Sequence, residues 1–386
     1  MNSLALRREL DDFLRTCDSP LTAHGRGIVT CAGGLRYNTC AWVLIRTLRD
    51  VLGCQLPIEV WYLGDEEKDP SWIKLVEPWN VRCRAVQGQG PESFHRRAQG
   101  WASKSHALLH SDFAEVLFLD ADNLPVVNPE FLFEEPEYRR TGAVFWPDSG
   151  VCSAAHPLWN VLQIPGRSER EFESGQMLVD KTRCSQALSI ANWFNERAEF
   201  FYRYLYGDKD TFRLAWHVLQ QEFAMPAHGL VALAGTLCQH DFSGRRLFQH
   251  RCFPKWSLRH NPRIPGFEHE REALAFLAEL CERWNPLEKH LGARAGEVTS
   301  HDASLIGRRF RLIERFLRRG RLELGAQHLA YHHPVHCDAY WWPDEDSLSL
   351  LLADRSTPFR LARQEANLWS TAETWQARPE LQLVAC

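Results

Sequence analysis

Two aspartates, Asp120 and Asp122, stand one residue apart at the end of an apolar run. The run 115–119 has the length and residue types of a buried parallel strand, and Asn123 with Pro125 ends it. Two carboxylates held this close repel each other without a counter-charge, and a divalent cation is the usual one. A metal bound there can in turn neutralise a diphosphate. The alternative is that an aspartate after a strand only caps a turn or a helix.

Strands and helices alternate on both sides of this pair. Before it we predict strands over 27–32, 58–63 and 81–86, and helices over 38–52 and 104–110. The alternation is typical of an α/β fold with a doubly wound, mostly parallel sheet and helices on both faces. Such sheets bind ligands at the carboxyl ends of their strands, where the two aspartates lie. After it we predict strands over 142–146, 176–180 and 247–250, and helices over 184–204, 212–224 and 271–284.

The end of the chain has a different pattern. From about residue 297, short alternating stretches broken by Gly, Pro and Asp predict a small antiparallel β-rich module. The predicted organisation is an N-terminal helix over 1–26, an α/β domain over 27–260, a linker and helix over 261–296, and the β-rich module over 297–386.

Composition excludes several classes of protein. The 386 residues carry a net charge of −4, which argues against a nucleic-acid-binding surface. The twelve cysteines form no CxxC pair, which favours reduced, buried thiols over a disulfide framework or a zinc site. No apolar stretch approaches the roughly twenty residues that span a bilayer, and the first helix lacks the apolar core of a signal peptide. We therefore expect a cytoplasmic protein, and its oligomeric state stays open.

Further segments whose side chains could bind a ligand or take part in catalysis lie before and after the aspartates. They are Ser103-Lys104-Ser105-His106, Phe172-Glu173-Ser174-Gly175-Gln176, Gly207-Asp208-Lys209-Asp210-Thr211-Phe212, and His250-Arg251 with Lys255-Trp256. Together with the acidic pair, this set resembles the glycosyltransferases of GT-A fold. Within them it is most similar to the fungal Golgi α-mannosyltransferases, and more loosely to glycogenin-like enzymes. The resemblance covers roughly residues 27 to 260.

The resemblance implies a metal centre. It adds His250 to Asp120 and Asp122 as a third ligand, and a neutral imidazole with two carboxylates suits Mn²⁺, with Mg²⁺ as the alternative ion. Lys255 and Lys104 would place positive charge on the departing diphosphate from two sides. The competing interpretation is a strand-end histidine and two solvated surface lysines.

The resemblance also implies residues around the sugar. Asp208 and Asp210 would lie near the donor sugar, to stabilise an oxocarbenium-like transition state or to orient an acceptor hydroxyl. Their alternative role is to cap the following helix. Glu173, Ser174, Gly175 and Gln176 would line the sugar pocket, with the glycine letting the backbone approach the hexose hydroxyls. The candidate catalytic residues are thus Lys104, Glu173, Asp208 and Asp210.

The nucleotide would lie at the end of the first strand. The base and ribose would contact Thr30, Ala32 and Tyr37, and the Gly33-Gly34 turn could bring the backbone close to the nucleotide.

Two clusters near the C-terminus have weaker patterns. Three histidines and a cysteine within 331–338 fit no common zinc module. Trp341 with Trp342 offers a sugar-stacking platform as a secondary hypothesis.

These residues predict a metal-dependent glycosyltransferase that moves a hexose from a nucleotide diphosphate sugar to a hydroxyl of a glycan acceptor. The resemblance implies retention of anomeric configuration and GDP-mannose as the first donor to consider, with UDP-hexoses open. One alternative is a sugar-1-phosphate nucleotidyltransferase, although Gly33-Gly34-Leu35-Arg36 is a poor triphosphate loop. Another is a non-catalytic glycan-binding protein with the same fold. The acceptor and linkage cannot be read from the sequence.

Overall fold

A computed structural model of the protein describes most of the chain. The described residues are 3–17, 23–64, 68–86, 100–291, 305–306, 308–314, 317–324, 329–333, 338–343, 347–352, 359–365, 368–370 and 381–385. Strands β1 to β10 are, in order, Arg26–Cys31, Ile58–Tyr62, Val81–Ala85, Glu115–Leu119, Asn123–Pro125, Ala143–Cys152, Glu169–Asp180, Val231–Leu233, Thr236–His240 and Arg246–His250.

The main sheet has six strands in the order β3-β2-β1-β4-β7-β6. Strands β3, β2, β1 and β4 run parallel, whereas β7 is antiparallel to both β4 and β6. Neighbouring residues of the central strands pack on opposite faces. Ile28 and Leu117 belong to one apolar cluster, and Val29 and Phe118 belong to the other. A sheet buried on both sides explains why these strands read as continuous apolar runs.

Helices cover both faces of this sheet. Their bounds are Ser3–Thr16, Gly34–Arg46, Pro70–Val76, Ser103–His110, Pro136–Thr141, Pro157–Leu162, Lys181–Glu196, Ala198–Phe201, Lys209–Val218, Glu270–Arg283 and Glu288–Leu291, with a π-helical turn at Thr47–Val51 and 3₁₀ turns at Glu77–Trp79 and Pro129–Glu134. The mostly parallel, doubly wound α/β class is confirmed. The strands predicted at 142–146 and 176–180 are longer than expected, because they pair with each other in antiparallel fashion, from the pair Ala143 and Val179 to the pair Cys152 and Glu169.

A second, four-stranded sheet positions His250. Its order is β5-β10-β9-β8, and its strand pairs are antiparallel. In the β5–β10 register, His250 pairs with Asn123, the residue directly after Asp122. This pairing places His250 beside the acidic pair, although His250 follows Asp122 by 128 positions in the chain.

The C-terminal β-rich module is confirmed, and it closes into a barrel of antiparallel strands β11 to β18. These are Arg309–Glu314, Leu317–Leu324, Leu329–His333, Asp338–Pro343, Ser347–Leu352, Phe359–Glu365, Leu368–Ser370 and Leu381–Ala385. Trp341 lies in the barrel core, and Trp342 packs into the apolar cluster of the α/β part. They are only 1% and 5% exposed, so the sugar-stacking hypothesis for this pair is wrong. The side chains of the 331–338 cluster lie outside the described residues.

Among the residues that the structure describes, no helix is both long enough and apolar enough to cross a lipid bilayer.

Candidate active site

Asp120, Asp122 and His250 lie together just beyond the carboxyl end of β4. One ligand atom of each lies within 4.8 Å of the other two. His250 Nε2 is 3.3 Å from Asp122 Oδ1 and 3.7 Å from Asp120 Oδ2. The Asp122 side chain is 3% exposed and that of Asp120 is 17% exposed, so the group opens towards Asp120. The structure therefore brings the three predicted metal ligands to one place.

Glu173 holds the imidazole from behind. His250 Nδ1 lies 3.0 Å from Glu173 Oε1, which also accepts a hydrogen bond from the backbone N–H of Gly175 at 2.9 Å. Burial acts to lower the pKa of His250, but Asp122 and Glu173 outweigh it and raise the pKa well above its usual value. A carboxylate on the second ring nitrogen fixes the orientation of a metal-ligating histidine.

The glycine of this segment makes room for the same ring. A Cβ atom at Gly175 would lie 2.4 Å from His250 Nδ1, so a larger residue would push the imidazole away from β7. The Gly175 carbonyl oxygen accepts hydrogen bonds from the Asp120 N–H at 2.8 Å and from Asn123 Nδ2 at 2.7 Å. The contact that requires glycine here is with the histidine, which the sequence argument about hexose hydroxyls did not identify.

Gln176 is fully buried behind the ligands. Its side chain donates to Glu173 Oε2 at 2.5 Å and accepts from Asn123 Nδ2 at 2.7 Å. Glu173 and Gln176 therefore support His250 and Asn123 in this structure. Whether either side chain also contacts a sugar stays a prediction.

Lys104 links the acidic pair to Asp208. It is the second residue of the helix Ser103–His110, and its Nζ lies 2.8 Å from Asp120 Oδ2 and 3.7 Å from Asp208 Oδ2. Ser174 supplies two further oxygen contacts at 3.4 Å. Burial acts to lower the pKa of Lys104, but Asp120 and Asp208 outweigh it and raise the pKa above its usual value. The ammonium group is therefore charged and buried.

Lys255 approaches from the opposite side. Its Nζ forms an ion pair with Asp122 Oδ2 and lies 5.5 Å from the centre of the Tyr37 ring. Burial acts to raise the pKa of Asp122, but the charges of Lys255 and His250 outweigh it and hold that pKa well below its usual range. Lys255 and Tyr37 thus belong to the site, whereas the solvated-surface interpretation of this lysine is wrong.

The two aspartates of the Gly207–Phe212 segment have different surroundings. Asp208 precedes the helix Lys209–Val218 as its N-cap residue, yet within the described chain its side chain makes no capping hydrogen bond. Its Oδ2 has no hydrogen-bond partner among the described residues, and burial raises its pKa while Lys104 opposes that shift. Asp210 instead forms a buried ion pair with Arg213 at 2.8 Å. The structure joins Asp208, and not Asp210, to the metal-ligand group.

The end of β1 borders the same site. Thr30 is buried, and the backbone N–H of Ala32 donates a hydrogen bond to the Trp61 carbonyl at 2.9 Å. Gly33, with φ of 147°, begins the turn into the helix Gly34–Arg46. Cys31 was not singled out from the sequence. Burial raises the pKa of its thiol to about 12, and the charges of Asp120, Lys104 and Asp208 also act on it.

The sequence also missed Asn123 as a site residue, whereas Ser174 was expected in the sugar pocket and contacts Lys104 instead. Asn123 directly follows Asp122 along the chain, and that adjacency was the available signal. The roles of Asn123 and Ser174 depend on the pairing of β4 with β7, which the sequence does not specify.

The donor set fits a hard divalent cation. Two carboxylates and an imidazole are typical ligands of Mn²⁺ or Mg²⁺ sites that keep open positions for other oxygens. Glu173 already fixes the histidine ring, as expected for a metal ligand. Buried lysines on both sides suit an anion such as a diphosphate.

Comparison with known proteins gives the family. The Mannosyl_trans3 mannosyltransferase family model matches residues 25–158 and 165–249, more than half of the chain. Alpha-1,2-mannosyltransferase MNN24 of Candida albicans is 29% identical over 236 residues, 50% of this chain and 33% of that protein. Alpha-1,2-mannosyltransferase MNN2 of Saccharomyces cerevisiae is 27% identical over 293 residues, 62% of this chain and 48% of that protein. The matched regions thus span less than half of these relatives.

Solved structures give a looser likeness. The mannosyltransferase Ktr4p from S. cerevisiae in complex with GDP has a TM-score of 0.35 at 12% identity, over 56% of this chain and 76% of that one. The galactosyltransferase LgtC in complex with donor and acceptor sugar analogs has a TM-score of 0.37 at 12% identity, over 52% and 73%. The family match includes Lys104, both aspartates and Asp208, and ends one residue before His250. On that match, the chain belongs to the Mannosyl_trans3 family of mannosyltransferases.

Proposed function

We propose that this protein is a metal-dependent glycosyltransferase that moves a mannosyl group from a nucleotide diphosphate sugar to a hydroxyl of a glycan acceptor. The observation that carries the proposal is the convergence of Asp120, Asp122 and His250 between the ammonium groups of Lys104 and Lys255. Membership of a mannosyltransferase family supports the sugar. GDP-mannose is the donor we propose first, with a UDP-hexose as the alternative.

Each side chain has a role in this reaction. Asp120, Asp122 and His250 would hold Mn²⁺ or Mg²⁺, which supplies a Lewis acid for the diphosphate oxygens. Lys255 and Lys104 would exchange their carboxylate partners for phosphate oxygens and stabilise the charge that develops on the leaving group. These contacts strengthen as the bond to the sugar breaks, which is the requirement for catalysis.

Asp208 would act on the sugar side. Its buried Oδ2 lies 3.7 Å from Lys104 Nζ and has no hydrogen bond among the described residues. Once Lys104 turns to the phosphate, this oxygen would accept a hydrogen bond from an acceptor hydroxyl. A carboxylate there also stabilises positive charge at the anomeric carbon. We propose retention by front-face departure and attack within an ion pair, with Asp208 orienting the acceptor. For Asp210, the buried pair with Arg213 favours a structural role.

The test is a screen of nucleotide sugars for Mn²⁺-dependent release of the nucleoside diphosphate, repeated with Asp122→Ala. We expect GDP-mannose turnover in the wild type and a loss of at least about 100-fold in the variant, because the metal loses a buried carboxylate and Lys255 loses its partner. Asp112→Ala, which removes a half-exposed carboxylate away from the ligand group, is the matched control and should keep wild-type turnover.

Wild-type turnover by Asp122→Ala would refute the metal role. Pyrophosphate release from a nucleotide triphosphate and a sugar-1-phosphate would favour the nucleotidyltransferase instead. A protein that binds glycans but ignores every Mn²⁺–nucleotide pair in calorimetry would be the non-catalytic alternative.

A further inference from the structure

An aromatic pair lies beside the buried ion pair of Lys104 and Asp208. The rings of Trp101 and Tyr206 have centroids 6.0 Å apart and planes inclined by 40°. Tyr206 is 80% exposed, although tyrosine is a residue that usually buries most of its ring. The proposed function assigns no role to either ring.

Two helix starts bring the pair to this position. Trp101 lies two residues before the helix Ser103–His110, and its carbonyl accepts a hydrogen bond from the Lys104 N–H at 3.2 Å. Tyr206 and Gly207 precede the helix Lys209–Val218, and Asp208 follows them directly. Each helix start therefore carries one aromatic ring and one charged side chain of the site.

Gly207 fixes the distance between the two helix starts. Its φ is +75°, and a Cβ atom there would lie 2.7 Å from Trp101 Cε3. The indole therefore lies directly against the backbone between Tyr206 and Asp208. Trp101 therefore contacts the residue directly before Asp208. Asp208 Oδ2 has no hydrogen-bond partner among the described residues.

We propose that Trp101 and Tyr206 form the acceptor subsite, where the apolar face of an acceptor pyranose stacks on an aromatic ring while one of its hydroxyls binds Asp208. This inference rests on the proposed function and names the site of its second substrate. A pyranose has one face of C–H groups and a rim of hydroxyls. An exposed ring next to a buried carboxylate, one oxygen of which has no hydrogen bond among the described residues, matches both parts.

The experiment uses methyl α-D-mannopyranoside as the acceptor probe with GDP-mannose and Mn²⁺. We expect Tyr206→Ala and Trp101→Ala to raise the acceptor KM about 3- to 10-fold, with a smaller effect on kcat, as the loss of one stacking contact predicts. Tyr206→Phe keeps the ring and should keep the acceptor KM within about twofold. Tyr204→Ala is the matched control, because Tyr204 is also exposed, two residues earlier, and packs on Phe200 instead.

Saturation-transfer NMR of the same mannoside with Mn²⁺ and GDP separates this inference from the proposed function, since it needs no turnover. A signal present in the wild type and Tyr204→Ala, and lost in Tyr206→Ala, supports the subsite even if no donor is hydrolysed. An unchanged acceptor KM or signal in Tyr206→Ala would overturn it, as would a wild type that gives no signal. A weakened affinity for Mn²⁺–GDP in Tyr206→Ala would assign the ring to the donor and also overturn it.

Discussion

At the scale of single residues, the site depends on how His250 is held. The ring touches two carboxylates through Nε2 and a third, Glu173, through Nδ1. The sequence placed Glu173 in the sugar pocket because its neighbours resemble a family motif. Its contact with His250 joins residues 77 positions apart, and no local pattern encodes such a distance. Conversely, the Asp120 and Asp122 pair was readable because one strand end supplies both carboxylates.

Glu173→Gln should weaken Mn²⁺ binding about 10- to 100-fold at high pH, since the carboxylate behind a ligating histidine makes it a better ligand. The proton must leave His250 before the metal binds, so affinity falls as pH falls below the pKa of His250. Glu173 helps to raise that pKa, and the variant should therefore move the fall in affinity to lower pH. Calorimetric titrations with Mn²⁺ across a pH series measure both effects.

Glu171→Gln is the matched control, because it changes the same residue type in the same strand and its partner is Lys209. Equal losses of Mn²⁺ affinity in the two variants would mean that Glu173 does not act through His250.

At the scale of elements, the parallel strands and most helices could be predicted, because their apolar patterns are local. The antiparallel direction of β7 could not, since a strand buried on both faces looks the same in either direction. Nor could the closed barrel, because its closure pairs Arg309–Glu314 with Leu381–Ala385 across the whole module. The predicted helix over 184–204 is two helices, Lys181–Glu196 and Ala198–Phe201.

One lysine fastens the helix that carries Lys104. Lys181 is fully buried at the start of its helix, and its Nζ donates to the carbonyls of Leu109 and Ser111 at 3.2 and 2.6 Å. Lys181→Met keeps the stem but leaves these oxygens without a donor, so we expect the free energy of unfolding to fall by about 1 to 3 kcal/mol. Urea denaturation measures this, and Lys74→Met, at an exposed position, should change it by less than about 0.5 kcal/mol. An equally small effect in both variants would show that the hydrogen bonds of Lys181 to Leu109 and Ser111 do not stabilise the fold.

At the scale of the whole molecule, the barrel and the α/β part share a core. Tyr340, Trp342 and Leu351 of the barrel belong to the apolar cluster that includes the helix Gly34–Arg46. The alternation of a strand sends Trp341 inwards and Trp342 outwards, onto the α/β part. The sequence pattern of the module predicted strands. It did not predict that apolar side chains on the outside of the barrel would pack against the α/β part.

Trp342→Ala should therefore lower the free energy of unfolding by about 3 to 5 kcal/mol, the usual cost of removing a buried tryptophan ring. Its indole is 5% exposed and stacks on His290 with centroids 5.6 Å apart. Chemical denaturation followed by circular dichroism gives the value. Tyr206→Ala, which removes an exposed ring, should cost less than about 0.5 kcal/mol, and a similar small value for Trp342→Ala would show that the barrel does not pack as described.

The ion pairs of Lys104 with Asp120 and of Lys255 with Asp122 would couple the binding of the proposed metal to that of the proposed nucleotide. Each aspartate of the proposed metal site already has an ammonium group beside it. In the proposed reaction both lysines would repel an incoming dication, whereas a pyrophosphate group would give them new oxygen partners. We therefore expect cation and nucleotide to strengthen each other's binding by the same factor, because such reciprocity is thermodynamically required. Calorimetric titration of Mn²⁺ with and without GDP would measure that factor.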